Sequence, residues 1–204
     1  MEDDHSNLPW PLAGADSLRA ALLAAYADPA RGHHGLDHLR EVLERLGELA
    51  AVGTPFDAVA VQLAAWFHDA VYDGERDSEE RSAAWAEDAL PPYLDAAAVA
   101  EVARLVRLTE HHRPGEEDPN GHALSDADLW ILAADPDRYA TYVAAVRREY
   151  TQLSDDVFAA GRAEVLRALL DKPHLFHTAY GAAAWEQPAR TNVEAELGVL
   201  SHQA

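Results

Sequence analysis

The chain has 204 residues, no cysteine and a formal charge of −20 at pH 7. The absence of cysteine excludes disulfides and thiolate metal ligands. The acidic excess argues against long nucleic acid, whose binding rests on neutralising phosphates with Lys and Arg. It leaves room for a small phosphorylated ligand held by local arginines or a bound cation. No apolar run reaches the ~18 residues of a membrane span, and the acidic start (Met1-Glu2-Asp3-Asp4-His5) lacks the pattern of a secretory signal. A cytoplasmic protein with no membrane partner is expected, folded as a single domain over residues 1–204.

Residues 1–14 read as a loosely held arm with Pro9-Trp10-Pro11 as its anchor. Asp16 to Ala27 is a short Ala/Leu helix, ended by Asp28-Pro29. A longer helix runs from about His34 to Ala51, with Leu36, Leu39, Leu43 and Leu46 as its buried stripe and Gly53 as its stop. Thr54-Pro55 starts the central helix, where Val59, Leu63, Trp66, Phe67 and Ala70 recur at helical spacing and predict burial. It ends in His68-Asp69. A carboxylate left unpaired in such surroundings costs on the order of several kcal/mol, so both side chains need partners.

Asp77 or Ser78 opens the next helix, which Pro91-Pro92 stops, and Asp95 opens the fifth, leading through Val99, Val102 and Val106 to His111-His112. Arg113 to Leu124, with two prolines and two glycines, is expected to be the one long loop. Ser125 then caps a helix carrying Asp126 and Asp128. Asp135-Pro136 and Ser154 start two more, the second running through Val157, Val165 and Leu169. Past Lys172-Pro173 the chain reads as irregular up to a last helix over about Pro188–Leu200. The expected fold class is all-α, about eight or nine helices around the central one.

Seven of the eleven histidines fall between His33 and His122. His34 and His38, four apart, would share a helix face. With His68-Asp69, His111-His112 and Asp126-Ala127-Asp128 they make four groups of metal-type ligands in order along the chain. Nitrogen and carboxylate donors without sulfur suit a divalent Mn, Fe, Co, Ni, Zn or Mg ion. Other templates are absent: there is no His-Glu-x-x-His, Gly-rich phosphate loop or Gly-x-Ser-x-Gly, and Glu-x-x-His occurs only as Glu2 to His5.

The ordered set His … His-Asp … Asp resembles the HD superfamily of metal-dependent phosphohydrolases, closest to its small bacterial predicted-phosphohydrolase branch. The runs that carry the resemblance are His33-His34-Gly35-Leu36-Asp37-His38, Trp66 to Asp73, Ser78 to Ala83, Thr109 to His112, and Asp126 to Leu129. It continues through Arg147-Arg148-Glu149-Tyr150, Gly161-Arg162 and Ala189 to Asn192. His33 stands where a tyrosine is usual, and Gly35 and Ser78 stand where asparagines are usual.

The resemblance implies an HD-like helical bundle and a metal ion held by His38, His68, Asp69 and Asp128, with Asp126 the second choice for the last ligand. Asp69 would also orient the attacking water. His34 would be a second ligand, a substrate contact or a hydrogen-bond partner, and His112 a general acid or a ligand to a second ion. Arg31, Arg81 and Arg113 flank the motifs as candidate phosphate contacts, and Glu79 and Glu80 as supports behind the ligands. The expected activity is hydrolysis of a small phosphate ester, with nucleotides among the candidates. The alternatives are a hydratase or di-iron oxygenase on the same scaffold, and a non-catalytic module that binds metal or nucleotide.

Overall fold

Helix follows helix along the chain. The computed structural model describes residues 7–201, and among them are ten α-helices and no strand. They are α1 (Asp16–Tyr26), α2 (Leu36–Ala51), α3 (Ala58–Phe67), α4 (Ser78–Ala89), α5 (Ala96–Leu108), α6 (Pro119–Leu129), α7 (Pro136–Glu149), α8 (Asp155–Leu170), α9 (Ala179–Ala184) and α10 (Glu186–Ser201). A 3-10 turn, Trp130–Ala133, joins α6 to α7. The helix beyond the expected nine is α9, in the stretch that reads as irregular; the Thr178 hydroxyl caps it by accepting from Gly181 N.

The centre is α3, which packs against α2, α4, α5 and α6. Its Val61 and the run Leu63 to Phe67 have no exposed surface. The larger of these, such as Val61, Leu63 and Phe67, contribute about 1.5–3 kcal/mol each when fully buried. The helix starts later than expected. Asp57 rather than Thr54 is the cap, its carboxylate accepting from Val59 N and Ala60 N at 3.0 and 3.1 Å. Thr54 N instead closes the end of α2 on Leu49 O. Val59 therefore sits in the first turn and is 42% exposed, against the burial its spacing predicts.

α6 is the larger correction. Asp118 caps it through Gly121 N, and Pro119 occupies the first turn, so the expected loop loses its second half to a helix. Ser125, expected as the cap, lies inside α6 and is fully buried. Asp126 and Asp128 consequently sit at the end of this helix, not at its start.

The arm is tied down from where its description begins. Trp66 Nε1 donates to Pro9 O at 2.8 Å, and the Trp10 ring meets Trp66 edge-on at 5.0 Å. Glu2 and His5 lie outside the described residues. Among the described residues no helix is long and apolar enough to cross a membrane.

Two glycines give a test of these close approaches. A Cβ at Gly32 would overlap the Ala145 carbonyl, whereas one at Gly47, on the exposed side of α2, would meet nothing. Thermal denaturation is expected to show Gly47→Ala raising stability by about 0.5–1 kcal/mol. Gly32→Ala is expected to lower it, and equal melting points would contradict the packing of α7 on this turn.

Candidate metal centre

Four side chains converge where helices end. His38 stands in the first turn of α2, His68 caps the C-terminus of α3 with Asp69 next to it, and Asp128 is in the last turn of α6. His112 follows the end of α5 in a left-handed backbone conformation, φ 47°. The C-termini of α3, α5 and α6 thus meet at one place. Each carries the negative end of a helix dipole, about half an elementary charge, which favours a cation and disfavours an added carboxylate. Asp128 is such a carboxylate and needs positive charge beside it.

The donor atoms lie close together. His38 Nε2 is 3.0 Å from Asp128 Oδ1, 3.1 Å from His68 Nε2 and 3.4 Å from Asp69 Oδ2. His68 Nε2 is 3.1 Å from Asp69 Oδ2 and 3.5 Å from Asp128 Oδ1. His38, His68 and Asp69 are buried, and the side chain of Asp128 is 12% exposed. His68 Nδ1 lies 2.7 Å from Ala65 O and must carry a proton to bond it. In the neutral ring the Nε2 lone pair then faces the cluster. Asp69 Oδ2 is buried without a hydrogen-bond donor.

Electrostatics agree with this picture. Burial opposes the charged form of His68, but Asp69, Tyr26 and Asp128 outweigh it and hold its pKa well above the usual imidazole value. Burial likewise opposes ionisation of Asp69 and Asp128, and the histidines around them push both carboxyls below the usual range. The cluster is built to contain positive charge. Two ligands at ~2.1 Å from a common ion stand ~3.0–3.4 Å apart in octahedral or tetrahedral coordination. The separations among the His38, His68 and Asp69 donors, 3.1–3.4 Å, fit that range, and an ion there would satisfy the donorless oxygen of Asp69; Asp128 adds an oxygen 3.0 Å from His38 Nε2.

The neighbours of this cluster hold its backbone in place. His34 precedes α2, whose N-cap is Gly35, so His34 and His38 do not share a helix face as expected. Glu149 Oε1 accepts from the backbone N–H groups of Gly32, His33 and His34 at 2.7–3.0 Å, and its Oε2 lies 2.8 Å from His34 Nδ1. The reading from sequence gave Glu149 no role; its only signal was its place in the Arg147 to Tyr150 run. Arg31 donates to the carbonyls of His34, Asp69 and Ala70, so its guanidinium ties the α2 and α3 ends together and is not free for a phosphate. His33 is buried against His38 and Tyr142, and burial keeps its ring uncharged.

Other expected site residues are elsewhere. Asp126 points away from Asp128: its oxygens accept from His177 N, Thr178 N and Thr178 Oγ1 at 2.7–2.8 Å, locking the approach to α9. Burial pushes its carboxyl up to about 6 against these donors. It anchors the approach to α9 and lies apart from the cluster. Arg81 forms a surface pair with Asp73, and Glu80 a surface pair with Arg107, so neither reaches the cluster.

His38, Asp69 and Asp128 line a cavity of about 400 Å³, whose wall also includes His34, Tyr72, Glu79, His112, Arg113 and Lys172. The size is that of a small-molecule site. His112 Nδ1 is 3.1 Å from Ser125 Oγ, and its Nε2 is 3.5 Å from Asp128 Oδ2. Burial, with Lys172 and His68 adding to it and Asp128 opposing, brings its pKa down to about 4. The ring is neutral at pH 7 and holds no spare proton for general-acid work in this state. Lys172 donates to His111 O and His112 O, fixing the chain at the end of α5.

No protein-family model, curated protein or solved structure matches this chain.

The two aspartates of α6 should separate in stability. Asp126→Ala strands three donors, two of them backbone N–H groups, and is expected to cost about 2–4 kcal/mol. Urea denaturation measures it. A loss under about 1 kcal/mol would mean that water replaces the carboxylate and that Asp126 anchors nothing.

Proposed function

We propose that the chain is a metal-dependent phosphohydrolase of the HD kind, acting on a small phosphate ester such as a nucleotide. The observation that carries this reading is the approach of His38 Nε2, His68 Nε2, Asp69 Oδ2 and Asp128 Oδ1 to one another, with His38, Asp69 and Asp128 lining an open cavity. These four residues would hold the ion. When bound, a divalent ion polarises a phosphoryl oxygen and makes hydroxide available near neutral pH.

The chain's own residues supply the rest. Arg113 lines the cavity, and among the described residues its guanidinium has no hydrogen-bond or ion-pair partner, which suits a phosphate contact. Lys172 adds positive charge to the same wall. His34, with Nδ1 committed to Glu149, has its Nε2 free for a substrate oxygen. Glu79 lines the cavity beside them and accepts from Ser78 Oγ. His112 stands beside Asp128 as a neutral hydrogen-bonding group at the rim. The two-ion alternative drew on Asp126 together with His112, and Asp126 is engaged with His177 and Thr178.

Metal content measured beside circular dichroism tests the ligand set. His68→Ala and Asp69→Ala are expected to lose the ion while keeping the helical fold. Asp128→Ala is expected to weaken metal binding at least tenfold more than Asp126→Ala does. Full occupancy in the His68 and Asp69 variants would sink the assignment. Turnover of a panel of phosphate monoesters, abolished by chelator and restored by one divalent metal, tests the reaction. A metal-loaded protein without turnover would favour the binding-module alternative, and two irons per chain the oxygenase.

A further inference from the structure

α8 packs on the core through one face, and a second face, partly packed through Leu169, borders the cavity. Ala163 and Leu166 are buried in the core, with Leu170 packed against it. On another face Arg162, Val165 and Leu169 follow one another at helical spacing, with Ala168 beside them and Lys172 just past the helix end. All five line the cavity above the His–Asp cluster. Val165 is 54% exposed there.

The two ends of this stripe are already engaged. Arg162 donates to both oxygens of Glu196 and to Tyr142 Oη at 2.8–3.1 Å. Lys172 holds the two carbonyls at the end of α5. Between them Val165, Ala168 and Leu169 offer a substrate no hydrogen-bonding side chain. Leu129 and Leu132 line the same cavity and add to its apolar surface.

We propose that this face of α8 is the specificity wall of the site and receives the apolar body of the substrate. The substrates are phosphate compounds whose organic group carries aromatic or other apolar surface, not polyol phosphates. This inference rests on the reading of the cavity as a phosphate site. An apolar group placed against Val165 and Leu169 leaves water at no polar cost. A polyol there would lose water around hydroxyls that find no partner on the wall.

Phosphonates, which keep a P–C bond and are not hydrolysed, separate binding from reaction. With the full chain loaded with Mn²⁺, calorimetry is expected to show phenylphosphonate binding about tenfold tighter than methylphosphonate, from the larger apolar area removed from water. In Val165→Asn, and in the Val165→Asn/Leu169→Asn double variant, the preference should shrink while methylphosphonate affinity holds. Val165 is exposed, so its single variant should fold even if the double does not. Equal affinities in the natural chain, a preference retained in the variants, or failure of both ligands to bind would overturn the wall. Turnover of phenyl phosphate on the same samples tests the reaction separately. Preference without turnover supports the wall and removes the hydrolase reading; turnover without preference overturns the wall alone.

Discussion

Charge balance at one point inside an apolar bundle is the constraint on which this structure depends. Two carboxylates, Asp69 and Asp128, stand within 3.5 Å of two imidazole nitrogens, beneath the negative ends of α3, α5 and α6. With neutral rings the cluster carries two negative charges, and with His68 protonated it still carries one. A divalent ion there would bring the sum to zero. The three helix C-termini add to that negative charge, so the site favours a cation where the bundle's own packing brings them together.

The remaining cations near the site serve that arrangement. Arg31 and Lys172 donate to backbone carbonyls at the ends of α3 and α5, so both cations offset the negative ends of those helices. Glu149 performs the reverse task at the start of α2, where three backbone N–H groups in a row meet one carboxylate oxygen. The approach to α2 is thereby fixed across a large sequence separation, and His38 is set opposite His68. Gly32 lets α7 come close enough for Glu149 to reach.

The all-helical class and the central helix were legible because they depend on local signals: helical spacing of apolar residues, Asp-Pro starts, and a buried His-Asp pair; His38 and Asp128 were singled out only by the resemblance. The start of α6 was missed although Asp118-Pro119 carries the same signal as Asp135-Pro136, which was read correctly. Pro114, Gly115 and Gly121 around it suggested a loop instead. That error reversed the setting of Asp126 and Asp128. Placed at a helix start both look favourable; at a helix end they sit two residues apart and face different ways, one to the cluster and one to Thr178. What remained hidden was non-local. Neither the pairing of Glu149 with His34 nor the exposure of Val165 to a cavity leaves a trace in spacing, because each depends on how α7 and α8 lie against distant segments.

The most direct measurement is diffraction from crystals grown with Mn²⁺, collected where that ion scatters anomalously. The account predicts one strong anomalous peak per chain, ~2.0–2.3 Å from His38 Nε2, His68 Nε2 and one oxygen each of Asp69 and Asp128. No peak among these four side chains, or a peak at Asp126 instead, would contradict it.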